Sequence, residues 1–493
     1  MQTSTAKKLS RQTLSQLPTT IAKPDYAIEK VETGIVHIGV GGFHRAHQAM
    51  YTDAFMAQTG DLSWGICGVG LREGDRRMQE ALASQDHLFT LVEKHADGER
   101  SARVIGALTN FMLAVDNPKA VIEQLASPSV KLVSLTITEG GYNMDPSTGE
   151  FQSEDAAVQH DLKNPETPKQ VFGYLMAGLK LRQERGLAPF TLLSCDNIQH
   201  NGSVLKKMLC AYIELADKEF AQWVTENVAF PNSMVDRITP TTTTDDIAQL
   251  AECGVDDAWP VVCEPFAQWI IEDSFCHDKP ALDKVGAQFV QDVAPYEKLK
   301  LRMLNASHSI LGLCGSLAGV QTIHECMQLD EFYHLLTVFM ESEVAPTLDP
   351  VAGIDIKEYQ QILLKRFANP NIKDTLTRIC SQSSAKIPVF LLPTILDNLK
   401  HTGRYHIGAF TIACWYYYSA RGCTQAGEPL HIDDSLATEL KAGAQRGPEA
   451  FLKLTHIFGN LSQFSEFNHV YIDGVNRLQR GESVQSIITE LSC

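Results

Sequence analysis

The strongest constraint on the fold is an alternation of short apolar runs and helical patterns between residue 34 and about residue 294. The apolar runs cover residues 35–38, 64–67, 130–137 and 190–194, and turn residues bound each of them. Helical patterns, such as those over 169–185 and 203–224, separate or follow these runs. Alternation of this kind predicts a parallel sheet that is covered by helices on both faces.

The pattern changes after Pro295, where helix-like segments dominate and β-branched runs become rare. A chain of 493 residues is also too long for one ordinary core. We therefore predict an α/β protein with two domains. A Rossmann-type parallel-sheet domain occupies residues 1–294, and a mostly α-helical domain occupies residues 295–493.

Charge and cysteine usage narrow the class of partner and the compartment. The formal net charge of −17 argues against nucleic acids and anionic membranes as partners. The twelve cysteines are scattered and form no C-x-x-C pair, which is typical of reduced thiols in a cytosolic protein. The first 23 residues are polar, and no apolar stretch is long enough to span a bilayer. We expect a soluble, cytoplasmic protein.

Metal chemistry finds little support in the sequence. His44 and His47 are three residues apart, but no third ligand is evident near them. No H-E-x-x-H motif and no cysteine pair with zinc spacing occurs. We predict that no metal takes part in the chemistry.

A glycine-rich run follows the first apolar run and opens a helical segment. Glycines at such a turn bring backbone N–H groups and a helix N-terminus against a pyrophosphate. The third glycine of the usual fingerprint is replaced by His44, so a purely structural turn remains an alternative. The predicted cofactor-binding residues are Gly39, Val40, Gly41, Gly42, Phe43, His44 and Arg45.

The second apolar run leads to a turn that contains Glu73 and Asp75. An acidic residue at this point binds the adenosine ribose hydroxyls and repels the additional phosphate of NADP. The separation from the glycine run exceeds the usual spacing of about 20 residues, and a solvated loop is the competing interpretation.

The segment 297–308 places a base, an amide and an imidazole on one arc of a predicted helix. With Lys300 at zero and 100° per residue, Glu297 falls near ~60°, His308 near ~80° and Asn305 near ~140°. Three leucines share this arc, so Lys300 is expected to be desolvated and easier to deprotonate. The set suits oxidation of an alcohol to a carbonyl, whereas the simpler alternative is an amphipathic helix. Tyr296 and Lys300 also match the Tyr-x-x-x-Lys pattern of short-chain dehydrogenases, but we assign the lysine to catalysis and the tyrosine to packing or to the rim of the site.

Three other segments carry polar groups that are candidates for binding a substrate or a reacting oxygen. Asn197 follows a strand end, where open α/β sheets bind ligands, although an Asx turn would also explain it. Asp236 lies beside Arg237, and a structural ion pair is the alternative there. Arg378 and Lys386 flank a hydroxyl-rich loop, which either holds a polyhydroxy substrate or lies at the surface.

The chain resembles the long-chain mannitol dehydrogenases, a polyol-specific family of secondary alcohol dehydrogenases. The resemblance runs from residue 34 to the 378–386 loop, so it covers most of the chain. The motifs that carry it are Gly34–His47, Thr136-Ile-Thr-Glu-Gly-Gly-Tyr142, Ser194-Cys-Asp-Asn197, Met234-Val-Asp-Arg-Ile-Thr-Pro240, Cys263-Glu-Pro-Phe266 and Lys300-x4-Asn305-x2-His308.

The resemblance implies a role for each candidate residue. Lys300 corresponds to the general base, Asn197 and Asn305 to an oxyanion-stabilising pair, and His308 to a residue that binds and orients the substrate. Substrate contacts are implied for Asp236, Arg378 and Lys386, and a proton relay for Glu297.

The resemblance also implies an activity, namely metal-independent interconversion of D-mannitol and D-fructose with NAD, by a monomer. Close relatives carry adjacent acids after the Gly-Leu-Arg turn. Here Gly74 separates Glu73 from Asp75, so Asp75 is expected to retain the role of one of them. The alternatives are a fructuronate or tagaturonate reductase, an arabinitol or sorbitol dehydrogenase, and an NAD-binding sensor without catalysis.

Overall fold

The computed structural model describes residues 6–145 and 148–492. The chain divides into two compact units, Met1–Val293 and Ala294–Cys493. The first unit is built on parallel strands and the second on helices, which confirms the predicted fold class.

A five-stranded sheet organises the first unit. Its strands are β1 (Thr33–Ile38), β2 (Gly65–Gly70), β3 (Leu108–Leu113), β4 (Leu132–Leu135) and β5 (Thr191–Ser194). They lie in the order β3-β2-β1-β4-β5, and every neighbouring pair is parallel. This is a Rossmann order, in which the direction of strand addition reverses beside β1. Ligands of such sheets bind at the carboxyl ends of β1 and β4.

Alternate residues of the strands fill two separate cores. Val36 and Ile38 of β1 pack with the helices Pro118–Leu125, Val171–Glu184 and Asn201–Glu214. Ile35 faces the opposite side, where it joins a core that includes Tyr51 and Trp269. Because both faces are covered, β1 carries buried residues at consecutive positions, as expected for a parallel strand.

Two helical segments differ from the sequence prediction. The pattern over 203–224 forms two helices, Asn201–Glu214 and Lys218–Asn227, because Asp217 caps the second by accepting a hydrogen bond from the Phe220 N–H at 3.0 Å. The segment after the glycine run also breaks, giving Gly42–Ala46 and Gln48–Thr59. The break lies at His47, whose φ of −119° and ψ of −89° are not helical.

The remaining elements of the first unit are shorter sheets and connecting helices. The strand Ser233–Asp236 pairs antiparallel with Gln268–Glu272. The other strands are Lys7–Lys8, Ile21–Ala22, Phe89–Lys94, Arg100–Ile105, Val255–Asp256, Val261–Cys263 and Gln288–Val290. The other α-helices are Arg76–Ala83, Ala156–Lys163 and Thr244–Glu252, and the 3₁₀ turns are Leu14–Gln16, Ile28–Lys30, Glu73–Asp75, Glu139–Tyr142 and Leu282–Val285.

In the described part of the second unit, the assigned elements other than isolated bridges are helices. The longest buried one is His406–Arg421, which contains the longest apolar stretch of the sequence. The other α-helices are Ala294–Lys300, Ala306–Leu317, Ile323–Met327, Asp330–Val338, Ile356–Phe367, Leu376–Cys380, Ser383–Phe390, Leu392–His401, Ala437–Gln445, Pro448–Leu452, Thr455–Phe458, Ser465–Gln479 and Val484–Leu491. The 3₁₀ turns are Ala345–Thr347 and Leu461–Gln463.

Two π turns interrupt these helices. One covers Leu301–Asn305 and the other Phe339–Val344. In the first, the Ala306 N–H donates to the Leu301 carbonyl, five residues back rather than four. The expectation of one unbroken α-helix through 297–308 was therefore wrong.

The second π turn carries a buried carboxylate that caps the long helix. The Glu343 carboxylate accepts hydrogen bonds from the N–H groups of Ile407, at 2.7 Å, and Gly408, at 3.0 Å. These donors lie in the first turn of His406–Arg421 and have no acceptor within their own helix. Burial raises the pKa of Glu343 to about 8, although the two N–H donors oppose the shift.

We predict that Glu343→Ala destabilises the second unit by at least ~2 kcal/mol, because each N–H left buried without an acceptor costs about 1–3 kcal/mol. The matched control is Glu341→Ala, which removes an exposed carboxylate from the same turn. Urea unfolding of both variants measures the difference, and equal stability would contradict the capping role.

The pH dependence has a definite sign. The folded-state pKa of Glu343 lies above its unfolded value, so the wild-type protein loses stability as pH rises from about 4.3 towards 8. Since Glu343→Gln does not titrate, the advantage of the wild type over this variant should shrink between pH 6 and pH 8.5.

Candidate functional site

The glycine run forms a tight loop at the carboxyl end of β1. Gly39 has a φ of +96°, and a Cβ atom at this position would lie 2.1 Å from the carbonyl oxygen of Thr136. Only glycine fits both the backbone conformation and the close approach. Gly41 and Gly42 continue the loop into the helix Gly42–Ala46. The loop is thus held against the end of β4, at the point where a Rossmann sheet receives its ligand.

His44 replaces the third glycine of the fingerprint by stacking on a second imidazole. Its ring lies 3.6 Å from that of His37 on β1, with 14° between the planes. Both residues are almost completely buried, and burial lowers the pKa of His37 to about 3 and that of His44 well below its usual value. The ordinary fingerprint uses a glycine for close packing of helix on strand. Here two neutral rings make that contact.

A chain of hydrogen bonds connects His37 to the glycine loop. Thr136 Oγ1 donates to the Gly39 carbonyl at 2.6 Å, so the Nε2 of His37, 2.9 Å away, is the donor to Thr136. A neutral His37 then accepts at Nδ1 from the Ser134 hydroxyl at 2.8 Å. The Gln48 side-chain amide lies 2.8 Å from the same hydroxyl. Because the single proton of that hydroxyl goes to His37, we orient the Gln48 amide with its NH₂ group as the donor to Ser134.

A cavity of about 400 Å³ borders the glycine loop within the first unit. Arg45 is buried there and donates from Nη1 to the Trp259 carbonyl. The guanidinium of Arg77 lies 4.5 Å from the centroid of the Trp259 ring. The lining includes Gly42, Phe43, Arg45, Arg77, Thr239, Thr242 and Trp259. Cations, hydroxyls and an aromatic plane beside a glycine loop suit an anionic nucleotide.

Asp75 lies in the 3₁₀ turn that follows β2. Its Oδ2 accepts a hydrogen bond from the Arg72 N–H at 2.9 Å, which closes the turn. Glu73 is exposed and forms an ion pair with Arg76. The second oxygen of Asp75 has no role in this cap, so one carboxylate can close the turn and still accept from a ligand.

Asp196, which the sequence analysis did not single out, fixes the surroundings of Asn197. Its carboxylate accepts from the N–H groups of Ile137 (3.1 Å) and Thr138 (2.8 Å) and from the Tyr142 hydroxyl (2.7 Å). These bonds hold the segment after β4 against the end of β5. Asn197 is the next residue and is exposed at that edge. The clue in the sequence was the acid directly before the asparagine.

Asp236 is buried at the end of the strand Ser233–Asp236. Its neighbour Arg237 donates to the carbonyls of Ala46 and Glu264 and forms an ion pair with Glu93 at 2.5 Å. Arg237 therefore anchors the helix of the glycine loop to this strand.

Lys300, Glu297 and Asn305 are buried in the second unit, and His308 is half-buried. The π turn changes the angles of these side chains around the helix axis. Because it holds one residue more than an α turn, each later residue lies roughly 100° behind the position it would have in an α-helix. Counted from Lys300, Asn305 then falls near ~40° and His308 near ~−20°, with Glu297 still near ~60°. The four residues share a face about 80° wide, instead of the ~140° expected from an α-helix.

Arg378 and Lys386 lie on two short helices, Leu376–Cys380 and Ser383–Phe390. Arg378 donates from Nε to Asp374 at 2.6 Å, and its Nη2 forms an ion pair with the same carboxylate. Lys386 Nζ donates to the Ile379 carbonyl at 3.2 Å. Both cations therefore bracket the two-residue turn that joins their helices.

Residues 6–145 and 148–492 contain no cluster of three or more His, Cys, Asp or Glu side chains arranged to hold a metal ion. The eleven cysteines in these ranges are free thiols. No helix in these ranges has the length and apolar character that crossing a membrane requires.

Comparisons with known proteins agree over nearly the whole chain. A model of the mannitol dehydrogenase Rossmann domain matches residues 33–284, and one of the mannitol dehydrogenase C-terminal domain matches residues 292–479. Mannitol 2-dehydrogenase of Aspergillus fumigatus is 46% identical over 467 residues, which cover 92% of this chain and 93% of that protein.

Two solved structures are also similar. Pseudomonas fluorescens mannitol 2-dehydrogenase, in a ternary complex with NAD and D-mannitol, superposes with a TM-score of 0.90 at 43% identity, covering 98% of this chain and 99% of that one. A substrate-free D-sorbitol dehydrogenase gives a TM-score of 0.88 at 36% identity, with coverages of 97% and 100%.

The stacked imidazoles predict an acid-sensitive first unit. Both folded-state pKa values lie below the unfolded value, so the stability contribution is complete above about pH 6.5 and is lost as pH falls towards 3. His44→Phe keeps the stack and removes one titrating group. Its melting temperature should therefore fall less between pH 7.5 and pH 5.5 than that of the wild type.

The control for this experiment is His401→Gln, which removes an exposed histidine. This variant should follow the wild-type pH profile. A His44→Phe profile that also follows the wild type would show that the buried ring does not control acid stability.

Proposed function

We infer that this chain, which belongs to the mannitol dehydrogenase family, is an NAD-dependent mannitol 2-dehydrogenase that interconverts D-mannitol and D-fructose. The observation that carries the proposal is the π turn, which gathers Lys300, Asn305 and His308 on one narrow, largely buried face. Family membership supplies the chemistry for that face, and no metal is needed in it.

Lys300 is the proposed general base. In its neutral form its Nζ accepts the proton of the C2 hydroxyl as the C2–H bond breaks and the C2 carbonyl forms. Burial favours the neutral amine over the ammonium ion, because a charged group loses hydration inside the protein. In fructose reduction the same atom returns the proton to the C2 oxygen.

Asn197 and Asn305 are the proposed oxyanion-stabilising pair. Side-chain amides donate hydrogen bonds without carrying charge, so they stabilise the developing alkoxide without competing for the proton. Asn305 closes the π turn, and Asp196 fixes the backbone before Asn197. Both amides thus extend from positions that are already rigid.

The polyol is proposed to bind in its open-chain form through His308, Asp236, Arg378 and Lys386. Several hydroxyls held at once orient C2 for reaction. Asp374 already compensates the charge of Arg378, which favours a neutral polyol over the carboxylate of a uronate. Glu297, one turn before Lys300, is the proposed relay that carries the proton away.

Bound NAD would supply the hydride acceptor for C2. The residues proposed to hold it are Gly39, Val40, Gly41, Gly42, Phe43, His44, Arg45 and Asp75, and the close approach at Gly39 supports that assignment. The free thiols agree with a reducing compartment, so we place the protein in the cytoplasm, and the family resemblance favours a monomer.

Lys300→Ala should lower kcat for mannitol oxidation by at least ~10²-fold, the lower end of general-base contributions. The KM for NAD should change little, since the lysine is assigned to the proton. A small primary amine added to the variant should restore part of the rate. The matched control is Lys298→Ala, which removes another lysine from the same helix as Lys300. Lys298 forms an ion pair with Asp349 at 2.9 Å.

Wild-type oxidation should rise with pH to a plateau, because only neutral Lys300 accepts the proton, and fructose reduction should fall over the same range. If Lys300→Ala retains a tenth or more of the wild-type kcat, Lys300 is not the general base. The 297–308 segment would then have only a structural role.

Asp75→Asn should lower the ratio of kcat/KM for NAD over NADP by about 10-fold, the scale of one charge-assisted hydrogen bond. Asparagine keeps an oxygen for the Arg72 N–H and removes the charge that repels a 2′-phosphate. Glu73→Gln tests the other acid of the turn and should leave the ratio unchanged. An effect of Glu73→Gln alone would move the ribose contact to Glu73.

A further inference from the structure

The two proposed substrate cations depend on one short turn. Arg378 belongs to a five-residue helix and Lys386 to an eight-residue helix, and only Ser381 and Gln382 separate them. Gln382 has a φ of +53°, in the left-handed region that non-glycine residues seldom adopt. Helices this short are not stable by themselves, so other contacts must hold the turn.

A distant segment, residues 433–435, supplies those contacts. The Asp434 carboxylate accepts from the Ser384 N–H at 2.8 Å and from the Ser384 hydroxyl at 2.5 Å. The Gln382 N–H donates to the Asp433 carbonyl at 2.8 Å, and the Gln382 side-chain oxygen accepts from the Ser435 N–H at 3.1 Å. We call residues 433–435 the bracing segment.

A cavity lies beside these bonds. The bracing segment and the helix ends that flank the turn line a cavity of about 380 Å³ within the second unit. Cys380 and Ser383 contribute from these helix ends, and Asp434 from the bracing segment. Because open volume lies along this side, the hydrogen bonds of Asp434 restrain the start of the Lys386 helix where it borders the cavity.

These hydrogen bonds restrain the stretch of backbone that positions Lys386. The Lys386 N–H donates to the Gln382 carbonyl at 3.1 Å, and its Nζ donates to the Ile379 carbonyl across the turn. A change in the backbone at 382–384 therefore alters the position of the ammonium group relative to Arg378. The cap formed by Asp434 controls that backbone from a position 50 residues away in sequence.

We propose that Asp434 is a positioning residue for the polyol: its tertiary cap on Ser384 sets the spacing of Arg378 and Lys386. The proposal rests on the proposed function, which assigns these two cations to the substrate. Asp434 acts through the turn and carries no chemistry of its own. Its loss should thus weaken substrate binding while the proton and hydride steps keep their rate once the substrate is bound.

Asp434→Ala tests this with steady-state kinetics. The KM for mannitol should rise by about fivefold or more, the scale set by losing one helix cap. The kcat and the KM for NAD should stay close to the wild type. Ser384→Ala removes only the hydroxyl bond and should give a smaller rise in the same constant, and Asp434→Asn should recover part of the loss. Ser384→Ala also serves as the test if Asp434→Ala does not fold.

The control is Ser483→Ala, which removes the N-cap of the helix Val484–Leu491, where the Ser483 hydroxyl accepts from the Ser486 N–H at 3.1 Å. This substitution removes a comparable helix cap elsewhere in the same unit, and it should leave the KM for mannitol unchanged. A rise in that KM with Ser483→Ala would overturn the proposal, because general loosening would then explain the effect.

Arg378→Ala and Lys386→Ala separate the two levels of the argument. If both raise the KM for mannitol and neither Asp434→Ala nor Ser384→Ala does, the positioning role is overturned and the substrate assignment survives. If neither cation affects that KM, the substrate assignment fails and the positioning role fails with it.

Discussion

Several segments near the proposed site and in the helical unit are held by carboxylates. Each carboxylate accepts hydrogen bonds from the backbone of a distant part of the chain. Asp196 does so for the segment after β4, Glu343 for the start of the longest buried helix, and Asp434 for the turn beside Lys386. Asp257 accepts from the distant Thr90 N–H in the same way, and also from the Trp259 N–H two residues along the chain. Loops pack few apolar side chains, so bonds of this kind supply the rigidity that a functional loop requires.

Burial has opposite consequences for the acids and the imidazoles. Removal from water raises the pKa values of Asp196, Asp257 and Glu343, and it lowers those of His37 and His44. In both cases the neutral form is favoured. The backbone donors oppose this trend for the acids, because N–H groups stabilise a carboxylate. The protein thus balances hydration lost against hydrogen bonds gained at each buried group.

The sequence predicted what depends on local pattern. Buried parallel strands such as β1 and β4 read as apolar runs, and the glycine run followed the first of them. The strand Leu108–Leu113 was missed because polar residues interrupt it, and the helix break at Asp217 because its cap lies within an amphipathic pattern. The tertiary caps and the π turn could not be predicted, since each depends on partners fifty or more residues away or on packing that no local period records.

The wide turn at Leu301–Asn305 sets the angle between two of the proposed catalytic side chains, those of Lys300 and Asn305. Conversion of the π turn to an α turn with the same number of residues would rotate Asn305 about 100° around the helix relative to Lys300. The hydrogen-bond pattern of the wide turn therefore keeps the two side chains on one face, and substitutions that favour an α turn would separate them. If the proposed assignment holds, engineering for a new polyol is best directed at the segment 378–386, while the π turn at Leu301–Asn305 is kept.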